Sequence, residues 1–124
     1  MAILGYSDRE GATYQLAYRL WRNTVPGDLT DITLPFTVPY TAYIDAITSS
    51  TAGAENRRPP LSGFHCNQWE TNTWYLHGGP SSGDDDFNVN QFGGWGANLT
   101  HGTIDDNPTV TAFVIMRLEQ RVSR

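Results

Sequence analysis

An acidic segment in the second half of the chain carries spacing that suits a metal ion. Alternate side chains at Asp84, Asp86 and Asn88 offer the oxygen donors that Ca²⁺ prefers. The segment begins like an EF-hand loop, but Val89 stands where that loop needs glycine and Trp95 where it needs a bidentate glutamate. We therefore expect an acidic turn in water and no cofactor, and we keep calcium at the three oxygen donors as the alternative.

Aromatic residues in the same region form a second candidate site. Aromatic faces flanked by amides and carboxylates bind amphipathic ligands such as sugars. Trp and Tyr are also common in cores and subunit interfaces, and we favour that interpretation. The candidate glycan-binding residues are Trp69, Trp74, Tyr75 and Trp95.

The third candidate is a nucleophile built from Cys66 and a histidine. Adjacent residues of a strand point to opposite faces, so His65 cannot act as the base for Cys66 in an unbent strand. His77 or His101 would need a tertiary approach that no local spacing predicts. We expect Cys66 to be buried and structural, and we predict no catalytic residues and no enzyme activity.

The charge balance disfavours several classes of partner. The chain has 124 residues, 13 of them acidic and 8 basic, and its net charge is −5. All the basic residues are arginine, and an acidic chain of this kind lacks the basic patch of nucleic-acid binders. No apolar run approaches the roughly 20 residues that span a bilayer, and Met1–Tyr6 does not resemble a signal peptide.

Alternating apolar and polar residues predict strands along much of the chain. The clearest segment is Ile32–Val38, and we expect further strands at Tyr40–Thr48 and Thr109–Gln120. Residues 12–22 are ambiguous, because Ser7-x-x-Glu10 has the form of a helix capping box, but their aromatic content favours a strand. Shorter strands are predicted around Phe64–Trp69 and Thr73–His77.

Glycine, proline and asparagine between these segments predict long polar loops at residues 49–63, 78–86 and 93–108. The sequence therefore predicts an all-β fold, a single-domain β-sandwich or small barrel of about six to eight short strands. One domain spans residues 1–124, with contact arms at residues 1–11 and 117–124.

In its length, its start without a leader, its Gly/Thr/Asn/Asp-rich loops, its few charges and its predicted closing strand, the chain resembles the small β-rich virion proteins of tailed bacteriophages. These are head decoration, cement or tail-associated subunits. The resemblance implies a protein made in the host cytoplasm that joins a particle, often as a homo-oligomer. A second similarity, through Phe36–Val38 and Thr109–Val114, is to short sugar-binding β-sandwiches that work as closed oligomers.

Our leading hypothesis is a non-enzymatic assembly protein that binds other protein subunits, itself and a capsid or tail protein included. Apolar residues would be buried between subunits, with arginine–carboxylate pairs setting their register. A lectin-like glycan-binding module is the alternative. The residues predicted to lie at the interface are Ile3, Leu4, Tyr6, Arg57, Arg58, Arg117 and Arg121.

Overall fold

Four strands pair in chain order to form one parallel sheet. They are β1 (Ala2–Tyr6), β2 (Val38–Ile44), β3 (Ser62–Trp69) and β4 (Asp85–Asn88). Tyr40 of β2 lies beside Ala2 and Phe64 in register, so β2 and β3 are the inner strands. The computed structural model describes residues 2–6, 14, 16, 18, 38–48 and 53–122.

The predicted all-β sandwich or barrel is wrong, because the chain forms this parallel sheet with a helix against one face. Helix α1 (Pro108–Arg121) follows a short 3₁₀ helix at Val89–Gln91. Parallel strands need crossover connections, whereas the predicted sandwich relied on strands joined by tight turns. In the described parts of the two connections that follow β2 and β3, residues 53–61 and 70–84 form loops with no helix and one isolated bridge at Ala54.

The strand predicted at Thr109–Gln120 is helical, and its capping residues explain why. The Asn107 side chain accepts hydrogen bonds from the backbone N–H groups of Thr109 and Val110, and Pro108 occupies the first turn. Asparagine at the N-cap and proline at the first helical position are strong helix-start signals. These signals, together with packing on the sheet, outweigh the β-branched content of the segment.

Helix α1 covers the apolar face of the sheet. Val114 is buried in a cluster with Tyr40, Ala42, Phe64 and Cys66. The Tyr40 hydroxyl donates to the Val114 carbonyl oxygen across 3.0 Å, which ties β2 to the helix. A second buried cluster joins the start of α1 to the preceding loops and consists of Val89, Leu99, Ile104 and Val110.

The opposite face of the sheet is polar and is covered by the two loop connections. The Tyr43 hydroxyl donates to the backbone carbonyl of Arg57, and the Asn67 amide donates to that of Gly79. His65 lies on the same face with its ring edge to face with that of Tyr43, their centroids 4.6 Å apart, and it is fully buried. Loops thus cover this face of the sheet, as helices do in most parallel sheets.

Of the other predicted strands, the structure confirms some and contradicts others. Phe64–Trp69 and most of Tyr40–Thr48 are strands as predicted, but residues 73–77 are bends and loop. The strand favoured for residues 12–22 is wrong at its described positions, because Tyr14, Leu16 and Tyr18 are helical. The strand predicted at residues 32–38 lies outside the described residues except for Val38. In the described part of the chain, no helix has the length and apolar character needed to cross a membrane.

Candidate functional site

Two buried carboxylates lie at the carboxyl end of the sheet. Asp45 directly follows β2 and Glu70 directly follows β3, and both are fully buried. The carboxyl ends of parallel strands meet at one edge, which is where open parallel sheets usually place their functional groups. Asp45 also has a positive φ of 51°, a conformation that its short polar side chain tolerates in tight turns.

Asp45 connects three separate segments through its side chain. Its Oδ1 accepts hydrogen bonds from the backbone N–H groups of Glu70 (3.1 Å) and Gly78 (2.6 Å). Its Oδ2 lies 2.6 Å from Nδ1 of His101. Gly78 has no room for a side chain, since a Cβ there would lie 2.8 Å from Oδ1 of Asp45. Asp45 therefore holds the segment 70–78 of the loop that follows β3 at both of that segment's ends.

Glu70 orders the start of the same loop. Its Oε2 accepts from the backbone N–H of Thr73 at 2.9 Å, and the Thr73 hydroxyl accepts from the backbone N–H of His101 at 3.0 Å. The Asn72 amide donates to the carbonyl oxygens of Ala97 and Leu99, both at 2.9 Å. Hydrogen bonds to buried Glu70 and to the neighbouring loop at residues 97–101 thus hold residues 72 and 73, directly before Trp74.

Trp74 and Tyr75 project from this ordered loop. Trp74 is 86% exposed and Tyr75 66% exposed, and their rings meet edge to face with centroids 5.2 Å apart. Large aromatic side chains normally bury much of their area, so two adjacent exposed rings on a hydrogen-bonded loop are unusual. We call Trp74 and Tyr75 the aromatic pair.

The structure divides the four predicted glycan-binding residues. Only Trp74 and Tyr75 form an exposed pair. Trp69, the last residue of β3, is partly buried and donates its indole N–H to Oδ1 of Asp86 at 3.1 Å. Trp95 is 37% exposed and stacks on Phe92 with ring centroids 5.6 Å apart.

The three predicted calcium ligands lie at alternate positions along β4 and just before it, and each has at least one side-chain oxygen bonded to a protein donor. Asp84 Oδ2 accepts from the Arg58 guanidinium at 2.7 Å and from the His65 backbone N–H at 2.9 Å. Asp86 accepts from the backbone N–H groups of residues 81 and 83 and from the side chains of residues 67 and 69. Asn88 Oδ1 accepts from the backbone N–H of residue 90. Among the described residues no cluster of His, Cys, Asp or Glu is arranged to hold a metal ion, and calcium binding stays a prediction.

The predicted contact arms belong to the fold itself. Residues 2–6 form edge strand β1 beside β2, and residues 117–121 form the last part of α1. Leu4 is 51% exposed on β1. Of the other two interface residues predicted on β1, Ile3 and Tyr6, the structure gives only the strand register, opposite Thr41 and Ile44.

The four predicted interface arginines all have intramolecular partners. Arg57 pairs with the buried carboxylate of Glu55, and Arg58 pairs with Asp84. The Arg117 guanidinium binds the Asp85 carboxylate at 2.6 Å. That of Arg121 lies 4.2 Å from the centroid of the Phe64 ring. The role of these arginines in setting subunit register therefore stays a prediction, with their charges already engaged within the chain.

Histidine and serine approach each other on the polar face of the sheet, but they are sealed from solvent. His65 Nε2 lies 2.9 Å from the Ser81 hydroxyl, and its Nδ1 lies 2.8 Å from the Thr41 hydroxyl. All three side chains are fully buried. Burial, reinforced by the positive charge of Arg58, lowers the pKa of His65 to about 4. A substrate cannot reach this Ser81 without opening the loop above it.

Cys66 lies on the other face of β3 and is fully buried, as the sequence predicted. Burial raises the pKa of its thiol to about 12, so the thiolate that would act as nucleophile is not formed at neutral pH. Next to it in sequence, His65 points to the opposite face, as strand geometry requires.

Sequence reasoning missed Asp45 and Glu70, which hold the loop of the aromatic pair, and considered His101 as a possible base for Cys66. Their signal was present, because each carboxylate directly follows an apolar or aromatic strand, but it is informative only if the strands are parallel. Comparison of the chain with known protein families, with curated proteins and with solved structures finds no match.

Proposed function

We propose that this protein is a non-enzymatic assembly subunit that binds other protein subunits through the aromatic pair. Its first partner is a second copy of the same chain. The observation that carries the proposal is the exposure of Trp74 and Tyr75, 86% and 66%, on a loop held by buried carboxylates. Trp and Tyr are the residues that most often dominate binding energy in protein interfaces. We expect the protein to act in an assembled particle such as a virion. This expectation rests only on the resemblance of its length, loop composition and few charges to phage virion proteins.

The loop is ordered before any partner binds. Asp45, Glu70 and Asn72 each hold it through hydrogen bonds to backbone groups. Association normally costs free energy for ordering side chains and loops, and a pre-ordered loop avoids part of that cost. The two rings can therefore contribute most of their burial to affinity. Hot-spot aromatics of this kind are each worth about 2 kcal/mol or more.

The buried chemistry of the chain supports a non-enzymatic role. In the described residues, the approach closest to a nucleophile and base is Ser81 with His65, and both are enclosed. The Nδ1 of His65 faces a hydroxyl of Thr41 instead of the carboxylate that orients the base in hydrolytic triads. The Cys66 thiol lies beneath α1.

The test is the solution mass of the purified chain by light scattering across a dilution series. We expect a species heavier than the 13.8 kDa of one chain. Its dissociation constant should rise more than tenfold in the double variant Trp74→Ala/Tyr75→Ala. Met116→Ala is the matched control, because Met116 is 42% exposed on α1 and its loss leaves the loop intact. A parent chain that stays monomeric, or a double variant that assembles like the parent, refutes the proposal.

Carbohydrate binding is the second candidate, favoured by the same exposure of Trp74 and Tyr75. An open indole ring stacks on the apolar face of a sugar as readily as on a protein side chain. Screening the parent and Trp74→Ala on a glycan array separates the two functions. Glycan binding that Trp74→Ala abolishes in a monomeric parent would replace the assembly proposal.

A further inference from the structure

A second aromatic cluster encloses a cavity on the helix side of the sheet. The cavity has a volume of about 300 Å³ and lies between β3, β4 and the first half of α1. This volume is at the lower end of the range for small-molecule sites. Its lining residues are Gln68, Phe87, Phe92, Trp95, Thr109 and Phe113.

The aromatic walls are held by contacts among themselves. The Phe87 ring meets those of Phe92 and Phe113 edge to face, each with centroids 5.3 Å apart. The Phe92 ring stacks on Trp95. Such pairs add stability beyond the area they bury, so the walls are set before a ligand binds. Flat apolar surfaces in this arrangement favour a planar aromatic guest.

Gln68 lines the cavity and carries one buried hydrogen-bond acceptor without a partner. Its Nε2 donates to the carbonyl oxygen of Val110 at 3.1 Å, and its Oε1 has no partner among the described residues although it is fully buried. The orientation of the amide follows from chemistry, because the Val110 carbonyl can only accept. Buried polar atoms without a partner are rare, and a bound molecule with a donor group would satisfy this one.

The rim of the cavity can admit a molecule. Phe92 and Trp95 are 43% and 37% exposed. Between them lie Gly93 and Gly94, which have nothing within 4 Å of an added Cβ, and Gly94 has a φ of 71°. Glycine moves between backbone conformations at low cost, so the two rings can part without disturbing the sheet.

From these observations we propose that the cavity binds a small planar aromatic molecule that carries one N–H or O–H donor, and that this donor bonds to Oε1 of Gln68. The rings of Phe87, Phe92, Trp95 and Phe113 enclose the guest. The amide selects it, because a guest without a donor leaves the buried oxygen unpaired. This site is separate in sequence and in its ring contacts from the aromatic pair.

Indole and benzofuran provide a matched pair of probes, since they share one bicyclic shape and only indole has an N–H. Each is titrated into ¹⁵N-labelled protein, and the indole N–H signal of Trp95 and the backbone signals of Thr109 and Gly94 are followed by NMR. We expect saturable shifts with both probes and about tenfold tighter binding of indole. Trp74→Ala is the control and should bind both probes as the parent does.

Two variants test the two parts of the site. Gln68→Met keeps the side-chain volume but removes the acceptor, so indole and benzofuran should bind this variant with about equal affinity. Phe92→Ala opens the rim and leaves Gln68 in place, so both probes should weaken together while the preference persists. Three results would each overturn the proposal: no shift of Trp95 with indole, equal affinity of the parent for both probes, or an unchanged preference in a folded Gln68→Met. If that variant does not fold, the parent and Phe92→Ala still decide.

Discussion

Lowering the pH should destabilise the fold through one buried imidazole, that of His65. Both ring nitrogens lie within hydrogen-bond distance of hydroxyls, Thr41 and Ser81, and the side chain is fully buried. Burial is the main cause that lowers its pKa from 6.5 to about 4, and the charge of Arg58 adds to it. The carboxylates of Asp84 and Asp86 act in the opposite direction but do not reverse the shift.

The size and sign of the effect follow from proton linkage. Between pH 6.5 and about 4 the unfolded chain carries a proton on His65 that the folded chain does not. The free energy of unfolding therefore falls by about 1.4 kcal/mol for each pH unit of acidification in that window. The full contribution is present above pH 6.5, and about 3 kcal/mol of it is lost by pH 4. Below pH 4 both states are protonated and His65 has no further effect.

The assay is urea unfolding followed by tryptophan fluorescence at several pH values, for the parent and for His65→Gln. Glutamine is neutral throughout, so the difference between the two slopes isolates His65 from the other titrating groups. His77→Gln is the control, because it leaves the contacts of His65 with Thr41 and Ser81 in place. A difference in slope below about half of the expected 1.4 kcal/mol per pH unit would show that His65 is protonated in the folded chain or is not buried.

Three further predictions follow from single contacts. Asp45→Ala removes the acceptor that two backbone N–H groups and the His101 ring share, so the free energy of unfolding in urea should fall by about 2–4 kcal/mol. Asp105→Ala is the control, since Asp105 is partly exposed and should tolerate alanine; equal losses in the two variants would refute the role of Asp45. Cys66 should react with a thiol reagent only as the chain unfolds, and fast labelling in native buffer would contradict its burial. Asn107→Ala should lower stability by about 1 kcal/mol through loss of the α1 cap, while Asn107→Asp should retain it; an unchanged alanine variant would rule the cap out.

The inner strands could be predicted from sequence because their residue types match a half-buried pleated surface. Tyr40–Ile44 is rich in aromatic and β-branched residues, and Phe64–Trp69 begins and ends with an aromatic residue; both are flanked by proline, glycine or charged residues. Strand β4 was not predicted, because Asp85 and Asp86 do not resemble strand residues. Their charges are met only in the tertiary structure, by Arg117 for Asp85 and by backbone and side-chain donors for Asp86.

The last segment shows how one pattern can fit two structures. Val110, Val114 and Leu118 are spaced by four residues, so they share a face in a strand and also lie on one side of a helix. The apolar Phe113 supports the helix, because it lies on the same helical side and on the opposite strand face. The cap formed by Asn107 is the stronger signal, but Asn107 lies in the segment 93–108 that its composition assigns to a polar loop.

The sequence by itself determined that the chain is acidic, rich in aromatic residues, strand-forming in its centre and free of a local catalytic motif. It also identified Trp74 and Tyr75, together with Trp69 and Trp95, as candidate glycan-binding residues. Only the tertiary structure decided that Trp74 and Tyr75 are exposed, that the indole of Trp69 is bonded to Asp86, and that Asp45 and Glu70 meet at the carboxyl edge of the sheet. The physical reason is that composition and spacing are properties of neighbours along the chain, whereas burial and hydrogen-bond partners depend on segments brought together by parallel pairing.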